Sequence, residues 1–256
     1  MTIRPEIMEL PPGGSFYFDC RPGVACFNHC CRDLSQALTP YDVLRLRRFL
    51  GMASSAFLEQ YTVRGVGPQT GLPVVSLKPL GPPGLECPFV TPSGCGVYPD
   101  RPSSCRTYPL LRGAVYQRET GRITERFLVI REAHCRGFDQ GRKWTAREWI
   151  ADQKIEPCNC ANDEMLRLIS AKNRAMPGAL DRQALGGIYT ACYDIDRFRE
   201  ALHAGAAMFG MEAKAQNRMV GRPKNAADDF EFLSLAMRFV RQYVFGEKAE
   251  ADDGIN

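Results

Sequence analysis

Eleven cysteines punctuate this chain of 256 residues. Ten fall between residues 20 and 160, and the eleventh is Cys192. The first group reads Cys20-x5-Cys26-x3-Cys30-Cys31, and the second reads Cys87-Pro88-x6-Cys95-x9-Cys105. Cys135 follows alone. Thiolates crowded this closely repel one another unless a cation neutralises them, and zinc or iron does so while fixing the loops. These eight sulfurs number twice the four that one tetrahedral ion or one cubane cluster takes. They can hold two four-cysteine sites, or one site plus spare or catalytic thiols. The vicinal pair Cys30-Cys31 is awkward for one mononuclear tetrahedral site, because adjacent side chains tend to diverge. Two metals of a polynuclear centre, or two neighbouring centres, accommodate it more easily. Pro88 after Cys87 makes the Cys-Pro step that ends many iron–sulfur runs. The C-x2-C-x2-C spacing of ferredoxins, the paired C-x2-C of zinc ribbons and the C-x3-C-x2-C triplet of radical enzymes are absent.

Other groups accompany these thiols. Tyr98, Arg101, Arg106 and Tyr108 lie in or beside the second cysteine loop. A thiolate centre is negative, so a guanidinium or phenol beside it would hydrogen-bond its sulfurs and raise its reduction potential. The plainer reading is that Arg101 and Arg106 pair with carboxylates or loop carbonyls and stiffen an irregular segment. An anionic substrate is a third reading. Cys158-x-Cys160 is a poor chelating step alone, so the two are either extra ligands or buried apolar residues. Cys192 reads as core. His29 and His134 each adjoin a cysteine, but adjacency does not orient an imidazole, and both read as non-ligands. His203 reads as an ordinary helix residue.

Composition narrows the setting. With 45% apolar and 24% charged residues the chain is globular. Its 33 basic and 29 acidic residues leave +4, too mild a balance to imply nucleic acid or an anionic membrane. No apolar run approaches the roughly 18 residues of a membrane helix. Residues 1–14 lack the build of a secretory signal, so the expected location is the cytoplasm. Disulfides are rare there, which again points the cysteines at metal. Gly65-x-Gly67 and Gly94-x-Gly96 lack the rest of a dinucleotide loop, and no P-loop occurs.

The elements that must position the thiols follow from local signals. Residues 1–14 read as a loose lead-in, followed by the aromatic run Phe16-Tyr17-Phe18. Thr39 as N-cap, Pro40 and Asp42 start a helix that buries Val43, Leu44, Leu46, Phe49 and Leu50, and Gly51 closes it. Arg45, Arg47 and Arg48 read as its solvated face. A second helix is expected over Ser54 to Tyr61 and a strand over Pro73 to Leu77. Strands Leu110 to Gln117 and Arg122 to Arg131 form a hairpin turned at Glu119-Thr120-Gly121. Thr145 and Glu148 make a capping box for a helix ending near Lys154. Asn162 to Arg174, Ala179 to Leu185, Ile195 to Ala204 and Asp228 to Phe245 read as helices, with packing residues at 208–211 and 230–245. The expected fold is α+β. It has an irregular, loop-rich, cysteine- and metal-centred core over residues 15–160, with a short antiparallel hairpin. A mainly helical extension covers residues 161–250.

The cysteine segment resembles the YkgJ-type cysteine-cluster proteins, described as zinc- or iron-chelating proteins and in some cases as Fe–S oxidoreductases. Phe18-Asp19-Cys20, Cys26 and Cys30-Cys31 carry the resemblance, with Cys87-Pro88-Phe89, Cys95-Gly96-Val97-Tyr98, Arg101-Pro102, Cys105-Arg106 and Pro109. Cys135-x-Gly137, Gly141-Arg142 and Trp144-Thr145 are similar to a later segment of that family, with Arg136 in place of a proline. The resemblance implies metal held by Cys20, Cys26, Cys30, Cys31, Cys87, Cys95, Cys105 and Cys135, with Tyr98, Arg101 and Arg106 near the cofactor. The first expectation is a cytoplasmic iron–sulfur protein with a redox or electron-transfer role and an unidentified redox partner or protein substrate. The alternatives are a zinc-binding structural or metal-handling module, and a protein lysine N-methyltransferase related to flagellin N-methylase. No Gly-rich loop for S-adenosylmethionine is visible for the last.

Overall fold

A computed structural model describes residues 5–32, 35–81, 85–139, 141–204 and 229–247. In chain order its elements begin with strands β1 (Glu6–Leu10), β2 (Ser15–Phe18) and β3 (Ala37–Leu38). Helices α1 (Pro40–Phe49) and α2 (Ser54–Tyr61) follow, then β4 (Thr62–Val66), β5 (Pro73–Leu77), β6 (Val90–Thr91) and β7 (Gly94–Cys95). Next come α3 (Ser103–Thr107), β8 (Leu110–Gln117), β9 (Arg122–Arg131), β10 (Arg142–Thr145) and α4 (Ala146–Asp152). The chain continues with α5 (Glu156–Ala175), α6 (Arg182–Cys192), α7 (Ile195–His203) and α8 (Asp229–Phe239), which runs into a π-helical turn over Val240–Val244. The fold is α+β with a helical C-terminal part, and among the described residues every strand pairing is antiparallel. No helix among these residues is long and apolar enough to cross a membrane.

Local chemistry explains the best-defined elements. The Thr39 hydroxyl accepts from the Asp42 N–H at 3.2 Å while the Thr39 N–H donates to Asp42 Oδ2 at 2.9 Å, closing a capping box on α1. Gly51, at φ +64°, ends the helix in a left-handed conformation that a side chain would strain. The same reciprocal pairing of Thr145 with Glu148 starts α4. The hairpin β8–β9 turns with Gly121 at φ +67°.

Two apolar clusters organise the chain. The larger joins α1, α2 and β5 to the second cysteine loop and to α5, α6, α7 and α8, with Leu46, Phe57, Val75, Leu168 and Val240 fully enclosed. The smaller holds Phe16, Phe18, Leu110, Val129, Trp144, Trp149 and Ile155 around Cys135. Phe18 meets Trp149 edge-on at 5.5 Å, and the Trp144 indole donates to the Phe18 carbonyl at 3.0 Å. Each fully buried Leu or Phe contributes about 1.5–3 kcal/mol, so both clusters are substantial anchors for the loops between them.

Several elements differ from expectation. Residues 6–10 of the lead-in are a strand, paired along β9 from Glu6↔Arg131 to Leu10↔Phe127. The chain 62–66 forms β4, hydrogen-bonded to β5. Helix α5 starts at Glu156, with Pro157 in its first turn, and runs unbroken across residue 160. Helix α6 starts later and ends later than expected: Asp181 caps it, accepting from the Ala184 N–H at 2.7 Å, and Gly186-Gly187 lie inside it. Val43, Leu44 and Leu46 are buried on α1 as expected, and Leu50 in part, but Arg47 joins them at the position four residues after Val43 and Phe49 turns out to solvent at 44% exposure. Arg47 is therefore buried rather than solvated. It donates to Asp229 at 2.7 Å and to Asp196 at 3.2 Å, tying α1 to α7 and α8. Arg48 stays exposed. Residue 228 and residues 208–211 lie outside the described residues.

Candidate metal centre

The first cysteine group is a wrapped loop after β2, tied at three points. The Asp19 N–H donates to the Gly137 carbonyl at 2.9 Å, which brings Cys20 beside the Cys135 turn. The Arg136 N–H donates to Cys26 Sγ at 3.1 Å. Only a glycine fits at 137, since a Cβ there would stand 2.6 Å from the Asp19 carbonyl oxygen and from the Phe18 ring. Asn28, in the left-handed region at φ 67°, opens a 3₁₀ turn over His29–Cys31, and its amide donates to the Thr91 carbonyl of the second loop at 3.0 Å.

The second group is tied to the first through the chain itself: the Cys87 N–H donates to the Cys31 carbonyl at 2.8 Å. Cys95 stands opposite Val90 in the small β6–β7 pair, and the Val90 N–H returns to the Cys87 carbonyl at 3.1 Å. Cys105 rides on α3. The buried Asp42 carboxylate grips the start of that helix, accepting from the Ser103 N–H at 2.7 Å and from its hydroxyl at 3.0 Å. Gln36 completes the hold: its amide donates to Ser104 Oγ, and its carbonyl accepts from the Cys105 thiol at 3.6 Å. Neither Gln36 nor Asp42 stands out as a positioning residue in the sequence. Asp42 is visible there only as part of a helix cap.

All eleven cysteines carry free thiols. Crowding by protein, then the charges of Cys30, Cys135 and Cys26, pushes the Cys20 thiol up to about 11. Cys105 presents an edge to solvent, yet protein packs closely round its sulfur and, with Cys87, pushes it up to about 12. Burial also raises Cys87, Cys95 and Cys135. In the vicinal pair the Cys31 thiol donates to Cys30, which lowers Cys30 to about 7 and raises Cys31. These sulfurs act on one another from Cys20 to Cys135, so they share one neighbourhood. Among the described residues, however, no three His, Cys, Asp or Glu side chains are grouped as they would be around an ion. The donor set is nonetheless the soft, all-sulfur kind that suits zinc or iron–sulfur binding.

The accompanying residues fall into place around this neighbourhood. Arg101 lies over the Tyr98 ring at 3.9 Å, donates to the Tyr98 carbonyl at 2.7 Å and reaches the Gln153 side chain. Arg106 donates to the carbonyls of Gln153, at 2.8 Å, and Pro99, and its buried Nε has no partner. Both guanidinium groups thus brace loop carbonyls, while the charge of Arg101 still bears on Cys95. The Tyr108 hydroxyl lies beside Cys135, close enough that the two shift each other in opposite directions, although it makes no well-aligned hydrogen bond. Cys158 is buried at the start of α5 against Arg45, Asp42 and Arg106, and Arg45 donates to its sulfur at 3.6 Å. Cys160, two residues on and so on the opposite face of α5, is exposed near Glu156, Asp163 and Arg112. Cys192 is buried in the larger cluster. His29 is exposed, His134 faces Glu132 at 3.4 Å, and His203 is exposed at the end of α7.

Residues 19–138 match the model of the CxxCxxCC family, a "Putative zinc- or iron-chelating domain". The resemblance to a cysteine-cluster family is borne out, and all eight thiols of the two groups and Cys135 fall inside the matched span, with Cys158, Cys160 and Cys192 outside it. No curated protein and no solved structure matches the chain.

Proposed function

We propose that this metal-binding, cysteine-cluster protein carries an iron–sulfur centre and transfers electrons in a reducing cytoplasm, to a redox partner or protein substrate not yet identified. The observation that carries the reading is that hydrogen bonds tie the loops bearing Cys20, Cys26, Cys31, Cys87, Cys95 and Cys135 to one another, with Cys30 beside Cys31 and Cys105 held through the Gln36 side chain, although these thiols come from separate stretches of sequence. Such convergence of thiols has no use in an apolar core, which Val or Ala would fill as well. When bound, an iron–sulfur centre supplies one-electron chemistry at a potential set by its surroundings.

The chain's own residues set those surroundings. The eight thiols would hold the centre. Arg101, near Cys95, places a positive charge that favours a thiolate there and disfavours loss of negative charge from it. Arg106 and Tyr98 keep Arg101 in place through the Pro99 and Tyr98 carbonyls and the stacked ring. The Tyr108 hydroxyl is placed to turn its proton toward Cys135. Reversible bleaching tests the reading: protein purified without oxygen should lose its visible absorption on dithionite and regain it on mild reoxidation. A colourless, redox-silent preparation would refute it.

One observation favours the zinc reading. Cys20, Cys30 and Cys105 are exposed, and zinc, having no redox chemistry, tolerates an open site that oxygen would degrade in an iron–sulfur protein. Stoichiometric zinc retained in air would support it. No specific observation favours the methyl-transfer reading, which predicts a thermal shift on S-adenosylmethionine.

A further inference from the structure

We propose that the outward face of the β1–β9–β8 sheet is an interface on which a second copy of this chain docks about a two-fold axis. The inference does not depend on the metal-binding reading.

The face has the wrong chemistry for solvent. Successive strand residues point to opposite sides of a sheet. The register puts Leu10, Leu110, Phe127 and Val129 on the side that packs with the smaller apolar cluster. Ile7, Leu111, Val115 and Leu128 share the other side with Glu9 and Arg126. An antiparallel sheet with one wet face ordinarily sets polar residues there. Here Ile7 is 52%, Leu111 44% and Val115 63% exposed, and among the described residues none of the four apolar side chains packs against either cluster. Only toward the hairpin turn does the face become polar, with Thr124, Arg122 and Gln117, which bounds the patch.

Charge selects the occupant. Glu9 and Arg126 are exposed, and neither side chain has an ion pair or hydrogen bond among the described residues. Arg126 leans away from Glu9, across Gly113, where a Cβ would stand 3.3 Å from its Cγ. Glu9 is opposite Leu128 in the register, and Leu128 is opposite Leu111. The carboxylate and the guanidinium therefore fall on opposite sides of Leu128. With strands about 4.8 Å apart and residues about 3.4 Å apart, a two-fold axis between two such faces, passing close to Leu128, sets each Glu9 over the other copy's Arg126. The pair forms twice, and Leu128 and Leu111 meet their own copies near the axis. A partner of different sequence would need the same two charges in the inverse order, which a second copy supplies by symmetry. The three strands span only about 14 Å by about 27 Å, near half the roughly 800 Å² per partner of a standard interface, so the dimer is expected to be weak.

Sedimentation equilibrium of the full chain, from micromolar to millimolar concentration, tests the proposal; reductant and exclusion of oxygen prevent disulfide-linked dimers. The expected result is a reversible monomer–dimer equilibrium. Glu9→Arg alone, or Arg126→Glu alone, sets four like charges across the axis and should weaken the dimer at least about tenfold. The double variant Glu9→Arg/Arg126→Glu should restore it. A wild type that stays monomeric throughout would overturn the proposal, as would a dimer indifferent to both single swaps or a double variant that does not recover. Circular dichroism checks that each variant folds. Were a swap to misfold, Leu111→Asp beside the axis still decides: folded and monomeric it supports the interface, and folded and dimeric it overturns it.

Discussion

Gly137→Ala is the perturbation that most sharply joins packing to the metal site. The added Cβ would stand 2.6 Å from the Asp19 carbonyl oxygen and 2.6 Å from the Phe18 ring, against the 3.4 Å at which ordinary contact begins. Neither neighbour can give cheaply. Phe18 is 3% exposed and wedged against Trp149, Tyr108 and Phe138. Asp19 holds the Gly137 carbonyl through its own N–H at 2.9 Å, so moving it away breaks that bond. Overpacking of this kind costs about 1–3 kcal/mol and the lost hydrogen bond about 1 kcal/mol, so a loss of about 2–4 kcal/mol is expected. The consequence for the thiols is local: Cys20 and Cys135 drift apart, while Cys31, Cys87, Cys95 and Cys105, tied elsewhere, keep their places. Urea unfolding reads the first effect and cobalt titration the second. A variant whose urea midpoint and cobalt absorption both match those of the wild type would refute the reasoning.

Other perturbations probe different joints. Arg47→Met should cost about 3 kcal/mol, since it leaves Asp229 and Asp196 short of a buried partner; urea midpoints measure this, and the metal count should not change. The thiols of Cys20, pushed up to about 11, and of Cys105 and Cys192, each pushed up to about 12, hold their protons more tightly in the fold than in the unfolded chain, where they ionise near 9. Metal-free protein should therefore be fully stabilised by them below pH 9 and lose that contribution as pH rises toward 12, seen as a falling unfolding midpoint. For the same reason zinc added at pH 7 should release protons, which an indicator dye records; a silent titration would contradict thiol ligation. Cys160→Ser, exposed and outside the matched span, should leave both metal content and melting temperature unchanged.

What was legible in the sequence was what local chemistry decides. The bounds of β5, β8 and β9 match expectation because alternation lies within β5 and the turn glycine Gly121 lies between β8 and β9, and those of α2 match although its start carries no side-chain cap. Strand β1 escaped because EIMEL pairs along a sheet edge with its side chains mostly exposed, leaving no alternation to read. In the sequence Arg47 looks solvated, because the carboxylates that bury it come from 149 and 182 residues further along the chain. The eight thiols were legible as a group, since cysteine type and crowding carry their own chemistry. The packing of Cys26 and Cys135 with one apolar cluster and of Cys31, Cys87 and Cys95 with the other is not, because it depends on contacts such as Arg136 to Cys26, 110 residues apart.

Elemental analysis of protein purified without oxygen, with acid-labile sulfide measured on the same sample, tests the central claim most directly. Iron and sulfide in matching amounts are the expected result. Zinc in their place, without sulfide, would contradict the iron–sulfur account.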